Sequence, residues 1–311
     1  MTENHKPVDW GDDHYRHMLT AMRKYLWRDD TLKMIAAWLN LKPGMTAVDV
    51  GCGLGHLGYS FWPFFGKGGT YIGVDISPRL LDDAQKAARE WVKDGTAYFL
   101  NGNATNLPVA DNSADMAMGQ TLLMHLADPV KGLSEMVRVT KPGGLILSIE
   151  TDLLSSALNK PCSSLPPLSI EERLLTFNIH LHCHKGRIEL GRGDSNTGVM
   201  VPHLMYEQGL TDIDARLAEN TFVLHPPYDS EIMQHRLNSI RNQHLDPDQT
   251  SFLDDKLREE FLAGGGNPSD FDRYMQIHDR ARKLTAEQID KGEFYMVGSS
   301  DVYIVKARKP M

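Results

Sequence analysis

The apolar positions between about Ala47 and Glu150 switch repeatedly between two periods. Short apolar runs read as strands: Val48-Asp49-Val50, Thr70-Tyr71-Ile72-Gly73-Val74-Asp75, Ala97-Tyr98-Phe99-Leu100, Met116-Ala117-Met118 and Leu145-Ile146-Leu147-Ser148-Ile149. Between them lie helical patterns with recognisable starts. Ser77 is an N-cap with Pro78 at the first helical position, opening a helix through Trp91 that Gly95 can close. Asp128-Pro129 opens another that reaches about Val139, and Lys141-Pro142-Gly143-Gly144 predicts a turn with proline and glycine in type II positions. This alternation predicts a parallel sheet with crossover helices.

Outside that span the alternation stops. Ser169 to about His184 and Thr197 to Gln208 read as helices, Asp212 to Ala218 as a further strand and Asp301 to Lys306 as the last one. Between those two strands, about Asp229 to Lys291 is polar and helical, broken by Gly264-Gly265-Gly266-Asn267-Pro268, and reads as an insertion. Ahead of the first strand, Met18 to Leu39 is helical in pattern, with Trp10, Tyr15, Tyr25 and Trp27 as bulky side chains. The expected organisation is therefore a helical segment over residues 1–40 able to act as a lid, a core of residues 41–219 plus 300–311, and a helical insertion over 220–299. The insertion is the expected substrate cover, with Met233, Tyr274 and Met275 as candidates for an apolar wall.

Composition changes this picture little. The chain has 311 residues, 33 basic and 41 acidic, for a net charge of −8, and its basic residues are scattered, which argues against nucleic acid as a partner. The first ten residues are polar, and the densest apolar patch, Phe61-Trp62-Pro63-Phe64-Phe65, is too short to span a bilayer, so no membrane insertion and a cytoplasmic location are expected. Cys52, Cys162 and Cys183 are odd in number and widely spaced, which fits reduced thiols and neither a disulfide framework nor a zinc site.

The candidate chemistry lies where strands end, because small molecules bind beyond the carboxyl ends of an open parallel sheet. Asp49 is an acid in a run that should be apolar on both faces, which is costly unless it meets a ligand. Gly51, Gly53 and Gly55 come next at alternate positions and let a ligand approach the backbone. Asp75 ends the second strand, where an acid can accept both hydroxyls of a ribose; Asn103 and Ala104 come after the third, Gly119 and Gln120 after the fourth. A nucleoside-containing ligand is implied, either a nicotinamide dinucleotide or S-adenosylmethionine. The dinucleotide fingerprint wants G-x-G-x-x-G, and His56 occupies its third glycine position. Asp49 would also repel a pyrophosphate, whereas a methionine-type ammonium would welcome it.

Five stretches in order, Val48 to Gly55, Gly73 to Ser77, Asn101 to Pro108, Leu122 to Pro129 and Lys141 to Gly144, resemble the successive motifs of class I S-adenosylmethionine-dependent methyltransferases, nearest the small-molecule, ubiquinone/menaquinone-biosynthesis-like branch. The resemblance covers about Met45 to Ile149, Gly191 to Ala218 and the closing strand. It implies an α/β Rossmann-like fold with a mostly parallel seven-stranded sheet flanked by helices, with N-terminal helices and a helical insertion between the last two strands. It implies S-adenosyl-L-methionine as cofactor and an unidentified small organic molecule as methyl acceptor. It puts the methionine end over Gly51, Gly53 and Gly55, with Asp75 on the ribose, Ile76 flanking the adenine, Asn103 and Ala104 at the adenine edge, and Gln120 and Thr121 near the sulfonium. Position 103 is commonly aspartate in this family; the asparagine carbonyl here can still accept from an adenine amino group. Tyr15 is a candidate to close over the cofactor.

Each of these residues has a plainer reading. The glycines can serve a tight turn and Asp75 can cap the segment after it, although their joint order favours the ligand. His125 is a weak candidate base, since a histidine in an apolar helical start is more often packed and hydrogen-bonded. His180-Leu181-His182-Cys183-His184 invites a metal, yet no partner pair lies nearby, so no metal site is expected. The loop Gly191 to Gly198 reads as a capped turn before substrate contact. Two rival functions remain: a nicotinamide-dinucleotide oxidoreductase and a non-catalytic S-adenosylmethionine-binding protein. Acceptor and oligomeric state are not specified by these residues.

Overall fold

The computed structural model of the chain describes residues 9–16, 19, 27–158, 162–218, 221–298 and 301–311. Met18 and Tyr25, and with them the start of the first expected helix, lie outside the described residues. The chain divides into two units. One comprises Pro7–Asp152, Asn196–Ala218 and Val302–Met311; the other includes Leu153–Ser195 and Glu219–Asp301. The sequence reading places Leu153–Ser195 in the core span and residues 1–40 in a segment of their own, so its boundaries differ from this division.

The first unit is built on a seven-stranded sheet of β1 (Thr46–Val50), β2 (Thr70–Asp75), β3 (Thr96–Asn101), β4 (Ala114–Gln120), β5 (Thr140–Thr151), β6 (Thr211–Leu217) and β7 (Val302–Arg308), in the order β3-β2-β1-β4-β5-β7-β6. The first five pair in parallel, with Val48 opposite Ile72 and Ala117, and β7 runs antiparallel to both β5 and β6. Helices α1 (Asp29–Leu39), α2 (His56–Phe65), α3 (Pro78–Trp91), α4 (Pro129–Val139) and α5 (Thr197–Glu207) flank it.

Period-two alternation sorts the strand residues into two layers. Val48, Val50, Ala117 and Ile146 pack with Leu133 and Met136 of α4 and Val201 and Met205 of α5. Ala47, Met116, Met118 and Leu147 pack with Ile35 and Leu39 of α1 and Leu57, Phe61 and Phe65 of α2. Phe61 and Phe65 are fully buried, each worth roughly 2–3 kcal/mol of apolar transfer. The expected caps form: Ser77 Oγ accepts the Leu80 N–H at 3.4 Å, and Asp128 Oδ1 accepts the Lys131 N–H at 2.9 Å.

Two local expectations change. Helix α3 ends at Trp91 as expected, with Val92 extended after it, and the left-handed residue that follows is Asp94 (φ 56°), not Gly95. Gly95 is required for a different reason, since a Cβ there would overlap the Gly66 carbonyl oxygen. The Lys141-Pro142-Gly143-Gly144 turn lies inside β5: Ala114 pairs with Thr140 and Met116 with Leu145, so the four residues are absorbed as an irregularity of the pairing. Gly143 keeps the positive φ of 73° that its type II position requires. Its N–H donates to the Lys309 carbonyl at 2.9 Å, so the backbone there stays paired.

The second unit is mainly helical. Its longest elements are Ile170–Glu189, Pro247–Ala263 and Pro268–Lys291; Ser169 and Glu172 form a reciprocal capping box on the first. Leu175, Ile179, Cys183, Phe261, Phe271 and Tyr274 form one core cluster, and Met275 packs against it. At Gly186 and Gly264 two helices meet backbone to backbone, because a Cβ on either would overlap the Glu260 or His182 carbonyl. Met233 packs in a second cluster with Leu224, Tyr228 and Leu237. The expected wall residues Met233, Tyr274 and Met275 are thus packing residues of this unit. A small antiparallel sheet of Cys162–Ser163, Met296–Gly298 and Phe222–Leu224, unforeseen in the sequence, completes it.

Candidate functional site

The parallel strands β1, β2, β3 and β4 deliver their carboxyl ends to one edge of the sheet. After Val50 the chain turns on Gly51, Gly53 and Gly55, with φ of 68°, 52° and 78°, a conformation that L side chains resist. The turn is tied to the end of β2. The Gly51 and Cys52 N–H groups donate to the Val74 carbonyl at 2.8 and 3.1 Å, and the Gly53 N–H donates to Asp75 Oδ2 at 2.9 Å. Asp75 Oδ1 accepts the Ser77 N–H at 2.8 Å. A carboxylate offers about four acceptor positions, so beside the Gly53, Ser77 and Ile76 N–H groups roughly one remains for another partner. Asp75 is 8% exposed, and burial raises its carboxyl pKa against the opposing pull of the Ser77, Gly53 and Ile76 N–H groups. Beside it Ile76 is 59% exposed, an apolar surface at the very end of the strand.

Asp49 is placed differently from its expectation. It is buried within β1, and its Oδ2 accepts the Tyr71 hydroxyl of β2 at 2.7 Å. Gly73, opposite Asp49 in register, leaves room for the Tyr71 ring, since a Cβ there would stand 3.1 Å from it. Burial and the Asp49 charge push the Tyr71 phenol well up, so the hydroxyl stays a donor. The acid in the apolar run therefore has a protein partner.

At the end of β3, the Asn101 amide donates to the carbonyls of Asp75 and Ile76 at 3.1 and 3.0 Å, fixing the two chain ends to each other. Asn103 is exposed, and its Oδ1 accepts both the N–H and the hydroxyl of Thr105 at 2.9 Å. Both lone pairs of that carbonyl are engaged by Thr105. Ala104 is half-buried next to it.

At the end of β4, Gln120 is 5% exposed and its Oε1 has no hydrogen-bond partner among the described residues. A buried carbonyl left unpaired costs about 1–3 kcal/mol, and such orphans call for an explanation. Thr121 comes next with φ of 48°, unusual for a β-branched residue. Its N–H donates to the Ile149 carbonyl at 2.7 Å and its hydroxyl to the Gln120 carbonyl at 2.8 Å. Glu150 secures the next turn. Wholly buried at the end of β5, it accepts the Leu122 and Leu123 N–H groups on Oε1 at 2.9 and 2.8 Å, and the Met124 N–H on Oε2 at 3.4 Å. The sequence signal that singled out Asp49 and Asp75, a lone acid in or ending an apolar strand, also marks Glu150, which was not among the sequence candidates.

The N-terminal segment docks on the same edge. Asp13 pairs with Arg79 at 3.0 Å, Arg16 pairs with Asp83 of α3, and Gly11 lies so close to Ser77 that a Cβ would stand 2.9 Å from its Oγ. Tyr15 is buried, its ring 5.0 Å from that of Trp10, and Trp10 in turn meets the His125 ring edge-on at 4.5 Å. Glu135 and Arg138 of α4 clamp the loop after β3: Glu135 Oε2 accepts the Leu107 N–H at 2.6 Å, while Arg138 donates to the Leu107 and Val109 carbonyls at 3.0 and 2.9 Å. No sequence pattern singled out this pair.

The histidine cluster is on the helix Ile170–Glu189 of the second unit. His182 Nδ1 donates to the Gly264 carbonyl at 3.1 Å, and His184 Nδ1 is hydrogen-bonded to Ser195 Oγ at 3.0 Å. Among the described residues, no three His, Cys, Asp or Glu side chains are grouped to hold a metal ion, and no helix is long and apolar enough to cross a membrane.

Residues 48–148 match a family described as a methyltransferase domain. A demethylmenaquinone methyltransferase from Desulfitobacterium hafniense is 37% identical over 124 residues, which are 40% of this chain and 47% of the relative. An uncharacterized methyltransferase from Schizosaccharomyces pombe is 40% identical over 116 residues, 36% of this chain and 41% of the relative. The match thus spans about half the length of these curated relatives or less. Among solved structures, phosphoethanolamine N-methyltransferase 2 of Haemonchus contortus, in complex with S-adenosyl-L-methionine, has a similar fold, with a TM-score of 0.52 at 14% identity, covering 97% of this chain and 59% of that one. Residues 48–148 thus resemble a methyltransferase domain, and they lie on a seven-stranded, mostly parallel sheet of the kind that the five sequence motifs imply.

Proposed function

We propose that this protein binds S-adenosylmethionine at the carboxyl ends of β1 to β4 and transfers its methyl group to a small organic acceptor. The observation that carries the reading is the Asp75 carboxylate, which binds the glycine turn through Gly53, keeps acceptor capacity open and stands beside the exposed Ile76. The residues fit the cofactor. Gly51, Gly53 and Gly55 would accommodate its methionine end, Asp75 would accept its ribose hydroxyls, and Ile76 would cover one adenine face. With its carbonyl engaged by Thr105, Asn103 would donate its NH2 to an adenine ring nitrogen, with Ala104 alongside. Gln120 supplies the unpaired Oε1 as an acceptor near the sulfonium, held by the strained Thr121 and the Glu150 cap. Asp49, held by the Tyr71 hydroxyl, would add negative potential near the methionine ammonium. Tyr15, packed with Trp10, would close over the cofactor.

When bound, the cofactor supplies an activated methyl on a positively charged sulfur. The chain's own residues then have two tasks, to fix the cofactor's orientation and to hold the acceptor atom in line while excluding water. No side chain is assigned as a base; His125 is packed against Trp10. The name of the Desulfitobacterium relative makes demethylmenaquinone the first acceptor to assay. The test is transfer of an isotope-labelled methyl group to low-molecular-mass compounds of a cell extract. Label in a small product supports the reading; protein that binds cofactor yet labels nothing is a binding module instead.

A further inference from the structure

The helix Ile170–Glu189 is apolar on two faces. One face, Leu175, Ile179, Cys183 and Gly186, is buried in its own unit. The other leaves Ile170 72%, Leu174 64%, Leu181 42% and Ile188 50% exposed, with Phe177 and His184 partly so. These six positions have a 4-3-4-3-4 spacing, the seam of a coiled coil, and the stripe runs for about 27 Å at 1.5 Å per residue. A helix that buries one apolar face and exposes a second lacks a partner for the second.

We propose that this stripe is the contact by which two copies of the chain form an antiparallel, two-fold helix pair. The spacing is its own mirror image about residue 179, so that Ile170 meets Ile188 of the second copy, Leu174 meets His184 and Phe177 meets Leu181. A two-fold interface requires such self-complementarity. The charges flanking the stripe agree. Glu171 falls opposite Lys185 of the second copy, twice by symmetry, and Lys185 has no ion pair among the described residues. The flank that would bring Arg173 toward Arg187 is relieved, because Arg187 is turned to Glu260 at 3.3 Å within its own unit. The four exposed aliphatic side chains offer roughly 400 Å² per copy, the size of patch that marks interaction surfaces. With the flanks, about 1,000–1,200 Å² would be buried in all, the lower limit for a specific dimer and consistent with micromolar association. A membrane face would be rimmed by Lys and Arg; this one is rimmed by both signs, Glu171, Arg173, Lys185 and Glu189.

Sedimentation equilibrium of the full chain tests this. The average mass should rise from 34.9 kDa toward twice that value as concentration approaches about 100 µM. Leu174→Glu with Leu181→Glu, at exposed positions, should hold the protein at the monomer mass with an unchanged unfolding midpoint. Lys185→Glu should weaken the dimer about fivefold, and adding Glu171→Lys should restore it, which only this register predicts. A monomer at every concentration, or a dimer indifferent to the paired Leu→Glu change, overturns the proposal. So does a monomer that floats with anionic phospholipid vesicles and loses that property on the same change, which would make the stripe a membrane surface.

Discussion

Glu150 is a buried carboxylate that accepts from three successive backbone N–H groups, and removing it should disturb both stability and the site. In Glu150→Ala the Leu122 and Leu123 N–H groups, bonded at 2.9 and 2.8 Å, lose their acceptor inside the protein. Each orphaned donor costs about 1–3 kcal/mol. The Met124 contact at 3.4 Å adds little. Eliminating a buried charge returns part of its desolvation, which leaves a net loss of about 2–4 kcal/mol. Glu150→Gln keeps one oxygen for the two short bonds and turns an NH2 toward the Met124 N–H, so its loss should be about 1 kcal/mol. Urea unfolding followed by circular dichroism reads both values. Since the turn that Glu150 caps comes directly after Gln120 and Thr121, affinity for S-adenosylhomocysteine should fall in the same order, alanine more than glutamine. Unfolding free energies within about 0.5 kcal/mol of the parent for both variants would refute the assignment of Glu150 as the anchor of this turn.

Other perturbations separate the remaining elements. Gly51→Ala forces a Cβ into φ 68° and against Leu122, which should cost about 1–2 kcal/mol in thermal or urea unfolding and weaken cofactor binding. Tyr71→Phe removes the buried hydroxyl that Asp49 accepts, for a loss of about 1–3 kcal/mol in the same assay. Asp75 has a carboxyl pKa raised above the ordinary 3.8 by burial, so the proposed ribose binding, which would use the ionised form, should weaken on acidification at higher pH than for an exposed aspartate, with Asp75→Asn removing that dependence in calorimetric titrations. In the free protein the same shift contributes stability that is full below 3.8 and lost as pH rises through the folded value.

Most of the sheet was legible because its signals are local. The run Thr70 to Asp75 is β2 residue for residue, and Ser77-Pro78 and Asp128-Pro129 start α3 and α4 as their cap chemistry dictates. What was not legible depends on partners distant in the chain. Asp49 reads as an unpaired acid until Tyr71 is brought beside it by strand pairing, and Asn103 reads as an open acceptor until Thr105 folds back on it. The Glu135–Arg138 clamp looks like an ordinary helical i,i+3 pair; only the fold brings the Leu107–Val109 loop onto it. The small sheet joins strands of two or three residues far apart in sequence, too short to show a period.

The central claim is that the turn from Gly51 to Gly55, bound to Asp75, is the cofactor site. Calorimetric titration of S-adenosylhomocysteine into the parent protein and Asp75→Ala tests it most directly. The account predicts saturable one-site binding by the parent and at least tenfold weaker binding by the variant, about 1.4 kcal/mol, with its far-ultraviolet circular dichroism retained. Absence of binding by the folded parent, or equal affinity in both proteins, would contradict it.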